Sequence, residues 1–335
     1  MNLLPERPKN THAVVVGAGT MGADVAVVLA RGGCRVTVVD PSEHKRAQLP
    51  AHLRKALAPL NLARRADRVV AVPALDCVAW ADAALVVECI PESLPLKQQL
   101  FAQLVTCAPP DTVLSSNSSS FPISAIVQGL PSRQRMLGLH FFMPAHLVPL
   151  VEVVCGPDTD LAQAERLCAY MRGCGSVPVM VRKDKPGFLA NRLQHALARE
   201  AFAMIDEGVA TAEDVDAAVR FGFGFRFLAA GPVLQRDHAG LEVHCAAAAT
   251  MYPTLSNTSE PSQVLRNHVA AGRLGLKTGG GFYDWPPERL QAERARYDDL
   301  LQRGLTLLAA ELPPVDTDDT DNAENTLPTQ HPTTP

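Results

Sequence analysis

The 335-residue chain contains eight cysteines, yet none forms a C-x-x-C pair or falls in a zinc-ligand spacing. Scattered cysteines argue against a disulfide framework and for a reduced, cytoplasmic setting. No apolar run approaches the ~18 residues needed to span a bilayer, which argues against a membrane span. The first twelve residues include Pro5, Glu6 and Pro8 and lack an apolar core, unlike a secretory signal. Net charge is only -4, so nucleic acid or a membrane surface is not expected as partner. No internal repeat is visible. What remains is a chain 47% hydrophobic and 20% charged, enough to bury the cores of two ordinary domains.

The clearest pattern present is near the N-terminus. Residues 13–16 form a short apolar run suited to a strand buried on both faces. Gly17-Ala18-Gly19-Thr20-Met21-Gly22 follows and fits G-x-G-x-x-G. A helical stretch over 23–31 stops at Gly32-Gly33, and a strand over 35–39 ends at Asp40, 18 residues after Gly22. In this strand–turn–helix–strand context the glycines let a turn and its helix N-terminus approach a pyrophosphate. Asp40 is placed to accept hydrogen bonds from the adenosine ribose and to repel a 2′-phosphate, which favours NAD over NADP.

Further strands are expected at 69–72, 85–87, 112–115 and 136–139. Strands alternating with helices predict an α/β fold, an N-terminal Rossmann-type doubly wound parallel sheet. Near Lys183-Asp184-Lys185-Pro186-Gly187 the strand signals fade and helical ones take over. A helix is expected over 188–207, a capping box at Thr211 and Asp214 opens another to 219, and a last one covers 286–310. The expected domains are 1–184 for NAD, a mostly α-helical domain at 185–311, and a disordered, acidic, proline-rich tail at 312–335. A helical second domain rich in apolar residues suggests a homodimer through that domain.

Two residues stand out chemically. His140 lies in the apolar stretch Gly138-Leu139-His140-Phe141-Phe142-Met143-Pro144, and Glu152 lies twelve positions later in Pro149-Leu150-Val151-Glu152-Val153-Val154. A base and a carboxylate in greasy surroundings are costly to bury unless they satisfy each other. The spacing of His140 and His146 suits no metal site, so no metal is expected. His146 is a weaker candidate base, with no comparable carboxylate in view.

These motifs, with Ser116-Asn117-Ser118-Ser119-Ser120 and Pro186-Gly187-Phe188-Leu189-Ala190-Asn191-Arg192, resemble the L-3-hydroxyacyl-CoA dehydrogenase family over roughly residues 10 to 285. The resemblance implies an NAD-dependent enzyme of fatty acid metabolism that oxidises a C3 hydroxyl to a ketone. It implies His140 as base, Glu152 orienting its ring, and Ser119 and Asn191 holding the substrate oxygen. It also implies cofactor contacts from Thr20, Met21, Cys89, Glu92, Lys97 and Asn117. Solvated charges at a helix start are the competing reading for Glu92 and Lys97.

Three departures bear on the substrate. The family usually has Asn where this chain has Met143, which can neither donate nor accept in the same way. Its acyl-CoA members carry a long helical hairpin between the second and third strands, whereas here only 28 residues, many basic, separate Asp40 from Val69. Those basic residues could meet CoA phosphates or simply be solvated. Arg226, in Phe221-Gly222-Phe223-Gly224-Phe225-Arg226-Phe227, is similar to an arginine of members acting on free acids, such as L-gulonate 3-dehydrogenase and L-carnitine dehydrogenase. Arginine suits bidentate carboxylate recognition. A free 3-hydroxy acid therefore stands as the alternative substrate. Lys277-Thr278-Gly279-Gly280-Gly281-Phe282-Tyr283 resembles a marker of the family's second domain. The β-hydroxyacid dehydrogenases, which use a catalytic lysine, share the glycine-rich start, but the His140–Glu152 pair argues against them. A non-catalytic, crystallin-like homologue would be expected to lose the base.

Overall fold

The computed structural model describes residues 3–315. The chain forms two compact units, Met1–Leu189 joined by the segment from Ala309, and Ala190–Leu308.

The first unit is an eight-stranded sheet with helices. Its strands are β1 (His12–Val16), β2 (Arg35–Val39), β3 (Val69–Val72), β4 (Ala83–Glu88), β5 (Val113–Ser116), β6 (Met136–Phe141), β7 (Leu150–Cys155) and β8 (Val177–Val181), in the order β3-β2-β1-β4-β5-β6-β7-β8. All neighbours pair in parallel except β6 with β7. Its helices are α1 (Thr20–Arg31), α2 (Glu43–Leu57), α3 (Leu94–Cys107), α4 (Ile123–Ile126) and α5 (Leu161–Gly173).

Side chains on β1 alternate between two apolar layers, as the period of two demands. Ala13 and Val15 join Val25 and Leu29 of α1 on one face, while Val14 and Val16 join Phe101 and Leu104 of α3 on the other. The chain runs outward from β1 through β2 to β3 and then crosses back to β4 on the other side of β1, and at this reversal a crevice opens beyond the strands' carboxyl ends.

The expected Rossmann-type sheet is present, but β7 and β8 are two strands beyond those expected. The residues of β7 form a continuous apolar run interrupted by one carboxylate, which shows neither clean strand alternation nor helical spacing. The connection from β2 to β3 is α2 followed by short 3-10 turns.

The second unit contains α6 (Ala190–Asp206), α7 (Ala212–Ala218), α8 (Gly224–Arg226), α9 (Leu234–Ala239), α10 (Leu241–Met251), α11 (Gln263–Ala270) and α12 (Pro287–Leu307). Thr211 and Asp214 form the expected capping box on α7, each side chain bonding the other's backbone N–H. Among the described residues of this unit, Ala230 alone is a buried apolar side chain.

The expected tail differs in one respect. Val315 is half-buried and packs beside Gly175 against the first unit's core, so the stretch from 312 begins tied down. The remainder of the expected tail lies outside the described residues. Among the described residues no helix is long and apolar enough to cross a membrane.

Candidate active site

The glycine turn joins β1 to α1. Gly17 has φ +110°, and a Cβ there would come within 2.6 Å of the Cys89 carbonyl oxygen. A Cβ on Gly22 would lie 1.8 Å from the Gly17 carbonyl oxygen, so the third glycine is what lets the helix begin so close to the turn. Around Gly19 there is open space, and no side chain caps the first turn of α1. An uncapped helix N-terminus beside a bare backbone is the shape and polarity a pyrophosphate requires. The first unit therefore fits a dinucleotide.

Asp40 follows β2. Its Oδ2 accepts from the Ala18 N–H and its Oδ1 from the Ser42 N–H, both at 2.8 Å, and Lys45 Nζ lies 3.5 Å away. Burial opposes its ionisation, but these hydrogen bonds and the lysine outweigh burial and hold the carboxyl below the usual carboxylate range. Asp40 thus braces the glycine turn itself, in addition to the ribose role expected of it. Thr20 and Met21 sit in the first turn of α1.

A polar network joins the ends of β4 and β5. Glu88 is fully buried, and its Oε1 accepts from Lys97 Nζ at 2.7 Å and from the Ile90 N–H at 2.8 Å. Its Oε2 accepts from the Ser116 hydroxyl at 2.5 Å. Lys97 Nζ also lies 3.3 Å from the Ile90 carbonyl oxygen and 3.2 Å from Glu92 Oε2. Lys97 is 1% exposed, so it is not the solvated helix-start charge of the competing reading. Its three donors meet three protein acceptors, so it acts on the site through Glu88 and Glu92.

Glu92 Oε1 accepts from the Ser118 hydroxyl at 2.6 Å and from the backbone N–H groups of Ser119 and Ser120 at 3.1 and 2.9 Å. One carboxylate oxygen therefore shapes the whole serine loop and leaves the Ser119 residue exposed. Burial of Glu92 is outweighed by Ser118, Lys97 and the loop N–H groups, which keep its carboxyl below the usual range. Asn117 ties three strands together, its N–H donating to the Glu88 carbonyl and its Oδ1 accepting from the Phe141 N–H. The Cys89 N–H donates to the Val16 carbonyl, and burial pushes its thiol well above the ordinary range.

His140 and Glu152 face each other across β6 and β7 as direct register partners. Residues directly opposite in an antiparallel pair bring their Cβ atoms within about 5 Å, so a twelve-residue separation becomes a contact. His140 Nδ1 lies 2.8 Å from Glu152 Oε2, and both side chains are buried. Glu152 Oε1 accepts from the Leu189 N–H at 3.1 Å. Phe142 and Phe188 pack on the imidazole, with ring centroids 4.5 and 5.5 Å away. Phe188 sits at φ +48° in the turn after Gly187, so the Pro-Gly-Phe motif holds both a ring and a backbone donor against the dyad. Met143 is exposed.

Asn191 and Arg226 belong to the second unit. Asn191 is the second residue of α6 and is half-buried, while Arg226 closes α8 and is exposed. Sequence reasoning overlooked Glu88 and Ser116. The signal was available for Glu88, a carboxylate ending an apolar run just as Glu152 interrupts one. It also left His146 without a carboxylate partner, whereas the structure puts Asp24 Oδ1 3.0 Å from His146 Nδ1.

Oxidising an alcohol with a nicotinamide needs a dinucleotide cradle and a positioned base, and one unit of this chain holds both; it is an NAD-dependent oxidoreductase. The pattern of the 3-hydroxyacyl-CoA dehydrogenase NAD binding domain matches residues 12–185, and that of the C-terminal domain of the same enzymes matches residues 187–285. The chain belongs to the 3-hydroxyacyl-CoA dehydrogenase family.

Among its relatives, 5-formyl-3-hydroxy-2-methylpyridine 4-carboxylate 5-dehydrogenase of Mesorhizobium japonicum is 33% identical over 302 residues, covering 85% of this chain and 95% of that one. The 3-hydroxyadipyl-CoA dehydrogenase of Escherichia coli is 37% identical over 82% of this chain and 59% of its own length. A crystal structure of the pyridine-carboxylate enzyme, described as an NAD+-dependent dismutase, superposes with a TM-score of 0.82 at 28% identity, covering 89% of this chain and 98% of that one. A 3-hydroxybutyryl-CoA dehydrogenase structure from E. coli gives 0.68 at 34% identity, covering 83% and 60%.

Proposed function

We propose that this enzyme oxidises a hydroxyl-bearing small free carboxylic acid, with His140 as the base. The observation that carries the substrate class is the build of the β2–β3 connection. It is a single helix with 3-10 turns, where acyl-CoA members are expected to carry a long helical hairpin. Its basic residues are partly spoken for. Arg65 is buried and donates to the Arg31 carbonyl, Arg54 pairs with Asp67, and Arg68 donates to Asn10 and the Gly33 carbonyl. The superposition on an enzyme named for a pyridine carboxylate supports the same reading.

NAD, when bound, supplies the hydride acceptor. Glu152 offers an acceptor to Nδ1, so the Nδ1–H points at the carboxylate and Nε2 carries the lone pair that takes the substrate hydroxyl proton. The same carboxylate then stabilises the imidazolium. Ser119, on the loop shaped by Glu92, hydrogen-bonds the substrate oxygen; the family resemblance assigns Asn191 to the same oxygen and Arg226 to the carboxylate. Gly17, Gly19, Gly22, Thr20, Met21, Asp40, Cys89 and Asn117 form or brace the cofactor cradle. A CoA ester is the second reading, favoured by the family and by the E. coli relative named for 3-hydroxyadipyl-CoA.

NADH formation at 340 nm separates the two. L-3-hydroxybutyryl-CoA is run beside L-3-hydroxybutyrate, L-gulonate, L-carnitine and the formylpyridine carboxylate. Turnover on a free acid is expected, with KM rising sharply in Arg226→Met. Turnover confined to the CoA ester, or an unchanged KM in the variant, overturns the free-acid reading.

The second unit is proposed to form a homodimer. It exposes Leu193, Phe221, Phe225, Val233, Leu241 and Met251, and carries an open cavity of about 730 Å³ lined by residues such as Leu197, Phe202, Ile205, Leu265 and Phe282. A unit of this size with almost no buried apolar side chain needs a partner surface to be stable. Light scattering on the eluting protein is expected to give twice the chain mass; a monomer at micromolar concentration refutes the dimer. The eight cysteines are free thiols, which supports a reducing, cytoplasmic setting.

A further inference from the structure

Sequence spacing points to no metal ligands, but the fold gathers three from separate segments. Asp24 lies in the second turn of α1, His52 in α2, and His146 in the connection between β6 and β7. Asp24 Oδ1 is 2.8 Å from His52 Nε2 and 3.0 Å from His146 Nδ1, and the three candidate ligand atoms lie within 4.8 Å of one another. We propose that Asp24, His52 and His146 bind one divalent first-row transition ion, zinc by ligand chemistry, at a site separate from the His140–Glu152 dyad.

Three features favour a cation over a simple hydrogen-bonded cluster. First, both imidazoles compete for one oxygen. His52 makes the hydrogen bond, while His146 Nδ1 is buried beside the same oxygen without a well-aligned partner. Second, the other carboxylate oxygen accepts the Ala145 N–H at 2.9 Å, the outer hydrogen bond that orients a metal-ligating carboxylate. Third, the spacing is close to what an ion needs. Ligand atoms about 2.0–2.1 Å from a tetrahedral zinc stand roughly 3.3 Å apart, so the contacts with Asp24 at 2.8 and 3.0 Å must open slightly, while the two imidazole nitrogens, within 4.8 Å of each other, must draw in toward the same spacing. His52 is partly exposed and can supply that movement, and the same opening admits water as a fourth ligand.

The ion would pin the connection that begins two residues after His140 to the helix that carries the dinucleotide turn, so its role is a clamp and not a reactant.

The test uses the full-length protein, stripped with EDTA under reducing conditions and dialysed against ZnCl2 or CoCl2. Wild type is expected to retain one ion per chain and to melt at a higher temperature with it. His52→Gln and His146→Gln are each expected to lose the ion and the thermal shift, while His140→Ala keeps both. The Co2+ spectrum of wild type should show nitrogen–oxygen ligation. Absence of stoichiometric binding by wild type overturns the proposal. So does retention by the double His52→Gln/His146→Gln variant, loss in His140→Ala, or a thiolate-to-cobalt charge-transfer band. Circular dichroism of the stripped variants confirms that they are folded.

Discussion

His140→Ala is expected to lower kcat by roughly 10²–10⁴, the usual worth of a positioned general base. The affinity for NAD should be unchanged, because the glycine turn and Asp40 lie at the ends of other strands. The pairing with Glu152 sharpens the expectation. Glu152→Gln keeps a side chain of similar shape but can present an amide N–H to Nδ1 in place of an acceptor, which favours the wrong tautomer. It should therefore lose activity with NAD binding and melting temperature nearly intact. Stopped-flow measurement of hydride transfer and fluorescence titration of NADH check both variants. Full activity in His140→Ala would remove the dyad from the chemistry. Loss of NADH binding would show that the residue supports the fold of the cradle instead.

The second large effect concerns stability. Lys97→Met removes the cation paired with Glu88 and leaves a buried carboxylate with only the Ile90 N–H and the Ser116 hydroxyl. Removing one partner of a buried ion pair costs about 3–5 kcal/mol, because the remaining charge is poorly compensated. Urea unfolding should show that loss in the first unit. Lys97→Met combined with Glu88→Gln should recover part of it, since an amide tolerates the site better than a lone carboxylate. Glu92 also loses its lysine, so the serine loop around Ser119 should loosen and KM should rise. A destabilisation under about 1 kcal/mol would mean that water or a rearrangement reaches Glu88, and that the pair is not the buried tie described above.

Several features are legible in the amino-acid sequence itself. The dinucleotide turn is local: a strand, three glycines, a helix and an acidic strand end are contiguous, and their chemistry depends on backbone sterics within about thirty residues. The capping box on α7 is local for the same reason. His140 and Glu152 are legible as a pair because each is a polar residue in an apolar run, although only the β6–β7 register shows why twelve positions bring them face to face. That same run hides β7 as a strand, because burial on both faces erases the alternation that marks one.

What sequence alone determined is therefore the set of elements whose cause is short-range: the Rossmann-type start, the helical second unit, the family and its NAD chemistry. Tertiary structure decided the rest. It turned Lys97 from a helix-start charge into a buried tie, made Glu92 the organiser of the serine loop, and gave His146 a carboxylate through Asp24. Each of these depends on groups brought together by the packing of helices and loops onto the sheet. The burial of a charge, and the partner that makes burial tolerable, exist only once distant segments share one interior.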